Sequence, residues 1–358
     1  MAIDCWTIIG GGTFGVRGNL TPGDVEKLIK TKTADRLHIE KPLSTKGWKL
    51  IQDKLISKRP DITIRCFGSG STWDGFSFLR QIPSVQRLQI DHVTQLQDIE
   101  AIAELPDLRR LEFGCYNLKD FDFFARLPEQ LEELIIGQTA SKKLNLNILS
   151  RYKQLKVLYL EGHSKGIETI KELGRLEELT LRSIKADGLA FLTGLKHLWM
   201  LDIKLGGTTD LSALKKMKGI TYLELWMIKG LRDLSFIPSM TGLRYLFLQS
   251  LTQIESLPDL SKLKKLRRVD LESMKDLKSI EGVAKAPALE AFIHTDARGM
   301  KPEAYLPMLK HNTLETFRAF TGRVGDNKQI VELMAEYGLS KETDEPDAFD
   351  AMIACKPS

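Results

Sequence analysis

The sequence predicts an α/β solenoid in which each repeat supplies one short β-strand and one turn of helix. Ten six-residue segments with the pattern LxxLxL, or a conservative version of it, start 21–24 residues apart. A period of this length is typical of stacked repeats, in which each unit covers the core of its neighbour. Between these segments an aspartate precedes a pair of apolar residues, a pattern that favours a capped helical or 3-10 turn.

The repeated segments run through most of the chain. The predicted strand segments begin at Val85, Leu108, Leu131, Leu155, Leu176, Leu198, Ile220, Leu243, Leu266 and Leu289. The aspartates that begin the predicted turns are Asp74, Asp98, Asp120, Asp187, Asp210 and Asp233. A weaker copy begins at Leu314, and degenerate forerunners lie at Ala34 and at residues 62–67. The leucines of each segment alternate with other residues, so we expect them to face the core.

The two ends of the chain are predicted to cap this open core. Residues 1–84 contain two helical patterns, DVEKLIK and GWKLIQDKLISK, and are interpreted as an amino-terminal cap with degenerate repeats. Residues 85–320 form the repeat region. Residues 321–358 contain a capping helix that ends at Gly338, followed by an acidic tail without a periodic core, which we expect to be flexible or loosely packed.

A competing interpretation of the amino-terminal segment is a nucleotide site. Gly10, Gly12 and Gly15 satisfy GxGxxG after a strand-like stretch, and a second strand-like stretch ends at Glu40. The motif requires a helix that begins at the glycines and directs its amides at a pyrophosphate. The first predicted helix start is Thr21, six residues after Gly15. The glycines are therefore interpreted as a structural bend, and an enzyme with a nucleotide site is kept as the alternative.

Composition and charge narrow the function classes. The 52 basic residues are balanced by 47 acidic ones, for a net charge of +5, which does not indicate a nucleic-acid partner. The basic segments 214–219 and 261–268 lack interleaved aromatic residues that could stack on bases. The four cysteines form no CxxC pair, so we expect a reduced, cytoplasmic protein. No apolar run is long enough to cross a membrane, and no membrane partner is predicted.

No pattern of catalytic residues stands out. The six histidines form no recognised ligand pair, and His294 occupies the place of an inward leucine, so we expect core or cap histidines. Cys115 directly follows a predicted strand and is expected to be exposed, without a base placed beside it by sequence. The sequence therefore predicts no enzyme activity, no metal and no cofactor.

On these strand segments the chain resembles the leucine-rich repeat family, strongly over residues 85–289. The resemblance implies a curved parallel sheet on the concave face of a solenoid. It also implies short helical or 3-10 turns on the convex face, since the period of 22–23 residues is that of the slimmer subclass. The asparagine that this family often carries three residues after the last leucine is absent. The chain is also similar to bacterial intracellular proteins of this family without assigned activity.

The concave face carries the candidate site. Alternation along each strand directs the third, fifth and seventh residues of a segment outward. Aromatic side chains on two adjacent strands are then exposed and surrounded by acids, which is the anatomy of a protein-binding hot spot. The candidate protein-binding residues are Tyr159, Glu178, Asp202, Tyr222, Glu224, Trp226, Tyr245, Phe247, Asp270 and Glu272. The alternative is that neighbouring side chains or the tail cover the aromatic residues, or that the chain self-associates.

The hypothesis that follows is a non-enzymatic, cytoplasmic protein that binds a protein partner on its concave face. A sharper version is an inhibitor or immunity-type protein that occludes a partner enzyme, and the acidic surround suits a basic partner. A nucleic-acid partner is not favoured. Besides the nucleotide-binding enzyme, an effector delivered into a host cell is left open.

Overall fold

The structure is a computed structural model that describes residues 6–10, 12–16, 19–68, 73–339 and 348–357, with the backbone alone at 6–10. The chain divides into two compact units, Met1–Leu173 and Gly174–Ser358. In each unit a short helix connects most pairs of consecutive strands, as the repeat predicts, and among the described residues one pair in each unit is connected without a helix.

The first unit is built on one sheet. Its strands are β1 (Trp6–Gly10), β2 (Thr13–Val16), β3 (Arg36–Ile39), β4 (Thr63–Phe67), β5 (Arg87–Asp91), β6 (Arg110–Gly114), β7 (Glu133–Ile136) and β8 (Val157–Glu161). Its helices are α1 (Pro22–Lys30) and α2 (Thr45–Leu50), which continues as a π-helix over Ile51–Ile56. Its 3-10 helices are Ser77–Gln81, Ile99–Ile102, Asp122–Arg126, Leu146–Arg151 and Ile167–Glu172. Strand β1 pairs antiparallel with β2, and β2 to β8 pair in parallel in chain order.

The second unit repeats the same plan. Its strands are β9 (Glu178–Arg182), β10 (Met200–Lys204), β11 (Tyr222–Trp226), β12 (Tyr245–Gln249), β13 (Arg268–Glu272), β14 (Ala291–Thr295) and β15 (Thr316–Ala319), all parallel in chain order. Its helices are α3 (Leu306–Leu309), α4 (Val324–Glu336) and α5 (Ala348–Ile353). Its 3-10 helices are Ala190–Leu192, Ser212–Lys216, Ile237–Ser239, Val283–Lys285 and Pro302–Tyr305.

The predicted strand segments are confirmed. Each of the ten contains a strand, and the weaker copies correspond to β3, β4 and β15. The leucines stack in register, so that Leu201, Leu223 and Leu246 lie opposite one another on β10, β11 and β12, with at most 1% of each exposed. Stacked rows of this kind bury the apolar side chains that no single repeat could bury alone.

Three of the six predicted aspartates form the expected hydrogen bond, whereas Asp98 makes no side-chain bond at the start of its 3-10 helix. Asp120, Asp210 and Asp233 each accept a hydrogen bond from the backbone N–H two residues later, at 2.9, 3.0 and 2.7 Å. A carboxylate in this position satisfies an amide that the start of a short helix leaves without a partner. These three aspartates therefore stabilise the turns that follow them.

A residue with left-handed backbone conformation follows most strands and continues the backbone hydrogen bonds between repeats. In the second unit these residues are Ser183, Leu205, Met227, Ser250, Ser273 and Asp296, with φ between 49° and 54°. Their N–H groups continue the ladder: Leu205 N–H donates to the Trp226 carbonyl at 2.9 Å, and Met227 N–H donates to the Gln249 carbonyl at 2.8 Å. In this unit the residues at the asparagine position, among them Ile228 and Met274, are buried, whereas Tyr116 at this position in the first unit is exposed. Apolar packing replaces the amide ladder.

The glycines at the amino terminus form a hairpin and not a phosphate loop. Gly10 pairs with Thr13 across the antiparallel β1–β2 turn, and Gly15 lies inside β2 opposite His38 of β3. Helix α1 begins only at Pro22, after a Thr21 N-cap that forms a reciprocal capping box with Asp24. The amino end of this helix is thus satisfied by its own cap. The GxGxxG pattern therefore lacks the helix amides that bind a pyrophosphate.

Replacing Gly12 with alanine is expected to destabilise the protein by about 1–3 kcal/mol. Its φ is +80°, and an added Cβ would lie 2.5 Å from the Thr33 carbonyl oxygen. Gly23→Ala is the matched control, because Gly23 lies in α1 with only Thr21 Oγ1 nearby, at 3.8 Å. Urea unfolding of both variants, with and without millimolar NAD or ATP, measures the effect. Equal losses, or a saturable rise of Tm with nucleotide, would contradict the structural role of Gly12.

Candidate functional site

The candidate site lies on the face of β9–β13 opposite to the buried leucines. This face is called the open face. The strand register arranges these side chains in three rows across the sheet. The first row is Glu178, Met200, Tyr222, Tyr245 and Arg268; the middle row is Thr180, Asp202, Glu224, Phe247 and Asp270; the last row is Arg182, Lys204, Trp226, Gln249 and Glu272. All the predicted site residues of the second unit therefore share this face.

Two acids of the middle row are held by one lysine. The Lys204 ammonium lies 2.9 Å from Asp202 Oδ2 and 3.0 Å from Glu224 Oε1. The Tyr222 hydroxyl donates to Glu224 Oε2 at 2.8 Å. Burial, together with the nearby Glu224 carboxylate, raises the pKa of Asp202 to about 7. One cation thus pairs with two buried carboxylates.

A second buried ion pair lies two strands away. The Tyr245 hydroxyl donates to Asp270 Oδ2 at 2.5 Å, and Arg268 Nε donates to Asp270 Oδ1 at 2.9 Å. The Arg268 guanidinium also lies 5.1 Å from the centre of the Tyr245 ring. Burial raises the pKa of the Tyr245 hydroxyl above its usual range. These bonds fix the ring against the sheet.

Trp226 is held from one side by two cations. The Arg182 guanidinium and the Lys204 ammonium lie 5.3 and 5.7 Å from its ring centre. The ring is half-buried in the last row, next to Gln249. Cation–π contacts of this length orient an indole at little cost. Trp226 therefore presents a fixed aromatic surface at the carboxyl end of β11.

The carboxyl-terminal segment, residues 348–357, covers the other end of these strands. Cys355 is buried in a cluster with Trp199, Tyr222 and Tyr245. The Thr221 hydroxyl donates to the Cys355 carbonyl at 2.7 Å.

A lysine anchors the end of the segment. The Lys356 ammonium lies 3.2 Å from Glu177 and 3.7 Å from Glu178, and 5.9 Å from the Trp199 ring centre. The segment is thus attached by apolar packing, a backbone carbonyl and an ion pair.

Comparison with known proteins identifies the fold. The crystal structure of the internalin InlF from Listeria monocytogenes is similar to this chain with a TM-score of 0.52 at 15% sequence identity, and the match covers 91% of this chain and 90% of the internalin. The chain has a leucine-rich repeat fold. Internalin C2 from the same organism matches at 23% identity over 55% of this chain and 83% of its own, with a TM-score of 0.41 that adds nothing to this assignment. No family model and no curated protein matches the sequence.

The structure corrects the expected exposure of this leucine-rich repeat face. Tyr222 and Tyr245 were predicted to be exposed, but only 4% and 1% of their surfaces are, because the carboxyl-terminal segment packs on them. The tail, expected to be flexible or loosely packed, is attached at Cys355, although helix α5 has no buried residue, and its residues 340–347 lie outside the described part of the chain. Trp226 and Phe247 stay partly open to solvent. The covering tail was the alternative left open by the sequence.

The acidic surround also differs from expectation. Asp202, Glu224 and Asp270 are buried and ion-paired with Lys204 or Arg268, and Glu178 pairs with Lys356. Glu272 is half-buried at the end of β13. Tyr159 belongs to the first unit, where its hydroxyl donates to Glu161 at 3.3 Å. The acids therefore act chiefly within the protein.

Sequence reasoning missed Trp199 and the segment that covers it. Trp199 is the second residue of its strand segment, a position that is polar or charged in most other repeats, and this departure was the available signal. In the tail, Ala351, Met352 and Cys355 are spaced i, i+1 and i+4, which places them on one side of a helix. That short apolar pattern was hidden by the acidic residues before it.

Two histidines and a cysteine outside this face lie in the core. His163 and His294 are buried, and burial lowers the pKa of each to about 4. Cys115 was expected to be exposed but is fully buried, and burial raises the pKa of its thiol to about 12, which removes it as a nucleophile. Among the described residues, no group of three potential ligands is placed to hold a metal ion. In the same part of the chain, no helix has the length and apolar character needed to cross a membrane.

Proposed function

We propose that this protein is a non-enzymatic leucine-rich repeat scaffold that binds a protein partner on the open face of its second unit. The observation that carries the proposal is the pair of partly open aromatic side chains, Trp226 and Phe247, on the adjacent strands β11 and β12. Large aromatic side chains that stay accessible on a rigid sheet are typical anchors of protein interfaces.

Preorganisation supports this assignment. Trp226 is oriented by Arg182 and Lys204, and Lys204 is itself fixed by Asp202 and Glu224. A side chain that is already ordered loses little conformational entropy when a partner covers it. The polar groups of the middle row thus serve to hold the aromatic surface, and we assign them no catalytic role.

The sharper proposal is an inhibitor or immunity-type protein that occludes a partner enzyme. In this form, binding at Trp226 and loss of the partner's activity follow the same concentration dependence. Asp202, Glu224 and Asp270 give little support to a basic partner, because each is ion-paired within the protein. We also propose a cytoplasmic location, which the free, buried thiols of Cys66, Cys115 and Cys355 support.

Trp226→Ala is expected to weaken partner binding about 30-fold, equivalent to about 2 kcal/mol, because it removes an aromatic anchor. The partner is first captured by a photo-crosslinking residue at Gln249, beside Trp226, and its affinity for purified variants is then measured by calorimetry. Folding stability should change little, since the ring is not part of the core.

Phe320→Ala is the matched control, because 56% of Phe320 is exposed and it lies after β15, away from the three rows. It should leave affinity unchanged. If instead both variants bind normally and replacement of Lys216 abolishes binding, the binding surface is the basic segment 214–219, and an acidic or nucleic-acid partner replaces the proposal.

A further inference from the structure

The carboxyl-terminal segment occupies part of the face to which the proposed function assigns a partner. We infer that this segment is a tethered occupant of a peptide groove, and that the partner element it excludes is a short amphipathic helix with a lysine at its carboxyl end. This inference rests on the proposed function and deepens it. The groove is defined by Trp199, Tyr222 and Tyr245, with Met200 and Phe247 at its edge.

The contacts are those of a helix laid in a groove. Helix α5 and the turn after it present Ala351, Met352 and Cys355 to the aromatic rings. Small or thioether side chains at i, i+1 and i+4 form one apolar side of such a helix. The rest of the segment faces solvent, and Phe349 is 65% exposed. The groove therefore contacts one narrow apolar side of a helix, and the opposite side of that helix faces solvent.

Ion pairs attach the carboxyl end of the segment to the edge of the sheet. At the carboxyl end of the segment, Lys356 contacts Glu177 and Glu178. Beside Ala351 and Ala354, an open cavity of about 670 Å³ continues the groove. Its charged lining residues are Arg244, Lys265, Arg267, Arg268, Glu290 and Glu315. Arg268 is ion-paired with Asp270, and Arg267 is ion-paired with Glu290, so Arg244 and Lys265 against Glu315 leave only a small cationic excess in the cavity.

The segment leaves room for a better ligand. The indole N–H of Trp199 is buried and meets no acceptor among the described residues, and the cavity beside Ala351 stays open. A buried donor without an acceptor is unfavourable. A ligand that supplies a hydrogen-bond acceptor for the Trp199 indole N–H should therefore bind more tightly than the segment. A ligand with larger side chains at the positions of Ala351 and Ala354 would also fill the cavity.

Tethering explains how an imperfect ligand holds the groove. Only residues 340–347 separate the segment from the part of the chain that ends at Leu339. A short connection of this kind gives an effective concentration in the millimolar range. A partner must therefore bind the groove tightly or add contacts elsewhere, and Trp226 and Phe247 lie on the same two strands as the groove residues Tyr222 and Tyr245. The segment thus sets an affinity threshold for the partner.

The test uses the full chain with a protease site placed within residues 341–346 and Cys5→Ser, cleaved after folding. In the intact chain Cys355 is 5% exposed, and burial raises the pKa of its thiol to about 11, so a thiol reagent should label it slowly. Cleavage should raise the labelling rate at least tenfold, because the segment then dissociates. Cys66 and Cys115 are fully buried and should stay unlabelled before and after.

A synthetic peptide of residues 342–358 should then bind the cleaved protein saturably after the released segment is removed, and should not bind the intact chain. A peptide with Met352→Asp should bind at least tenfold more weakly. Unchanged labelling after cleavage, or no saturable peptide binding, would make the segment a permanent part of the fold and overturn the inference. Trp226→Ala should not affect the peptide, so loss of the partner alone in that variant tests the proposed function separately.

Discussion

Replacing Lys204 with methionine is expected to lower the free energy of unfolding by about 3–5 kcal/mol at pH 8. The substitution leaves Asp202 and Glu224, whose side chains are only 6% and 10% exposed, without their shared cation. Removing one partner of a buried ion pair costs more than the pair contributes, because the remaining charge is poorly solvated. Urea unfolding measures the loss, and Lys229→Met, at an exposed position, should be nearly neutral.

The loss should be smaller at pH 5. Asp202 has a pKa raised to about 7 in the folded protein, chiefly by burial, and an ordinary value near 3.9 in the unfolded chain. The folded state therefore holds a proton that the unfolded state releases, so the stability that this proton contributes is present at low pH and declines as the pH rises toward 7. Asp202→Asn should flatten this dependence. A Lys204→Met penalty that is independent of pH would show that the carboxylates find other partners.

Leu223→Ala is expected to destabilise the protein by about 2–5 kcal/mol. Leu223 is fully buried on β11, between Leu201 and Leu246 of the adjacent strands, so truncation opens a cavity inside the stack of repeats. Asp233→Ala is the comparison within the same repeat and should cost only about 1 kcal/mol, the usual contribution of a helix cap. Chemical unfolding of the two variants should separate them clearly. Equal, small losses would mean that the leucine does not support its neighbours.

The repeat architecture could be predicted because each repeat carries its own structural signal. Leucine alternation specifies the strand and its buried face, and aspartates such as Asp210 and Asp233 specify where the turn begins. The helix start at Thr21 and the helix end near Gly338 could be predicted for the same reason, because a capping box and a left-handed glycine depend only on residues a few positions away. All these features are determined by neighbours in the chain, which a single sequence displays.

The cover over the candidate site could not be predicted, because it depends on contacts far apart in the chain. Alternation correctly placed Tyr222 and Tyr245 on the open face, but their burial depends on Cys355, and the hydrogen bond that attaches it joins residues 134 positions apart. The ion pair between Lys204 and Glu224 on this face also joins residues of different repeats and could not be predicted. Lys204 sits in an ordinary repeat, and only the strand register shows that it neutralises both Asp202 and Glu224.

The separation between Thr221 and Cys355 also determines when the groove is covered during synthesis. At about 5–20 residues per second, the 134 residues between the two partners take on the order of 10 s to be made. The strands that form the groove are complete early in that interval, since β12 ends at Gln249. A newly made chain therefore exposes its aromatic groove for seconds before its own segment arrives. Any helix that meets the nascent chain in that interval competes without the tether.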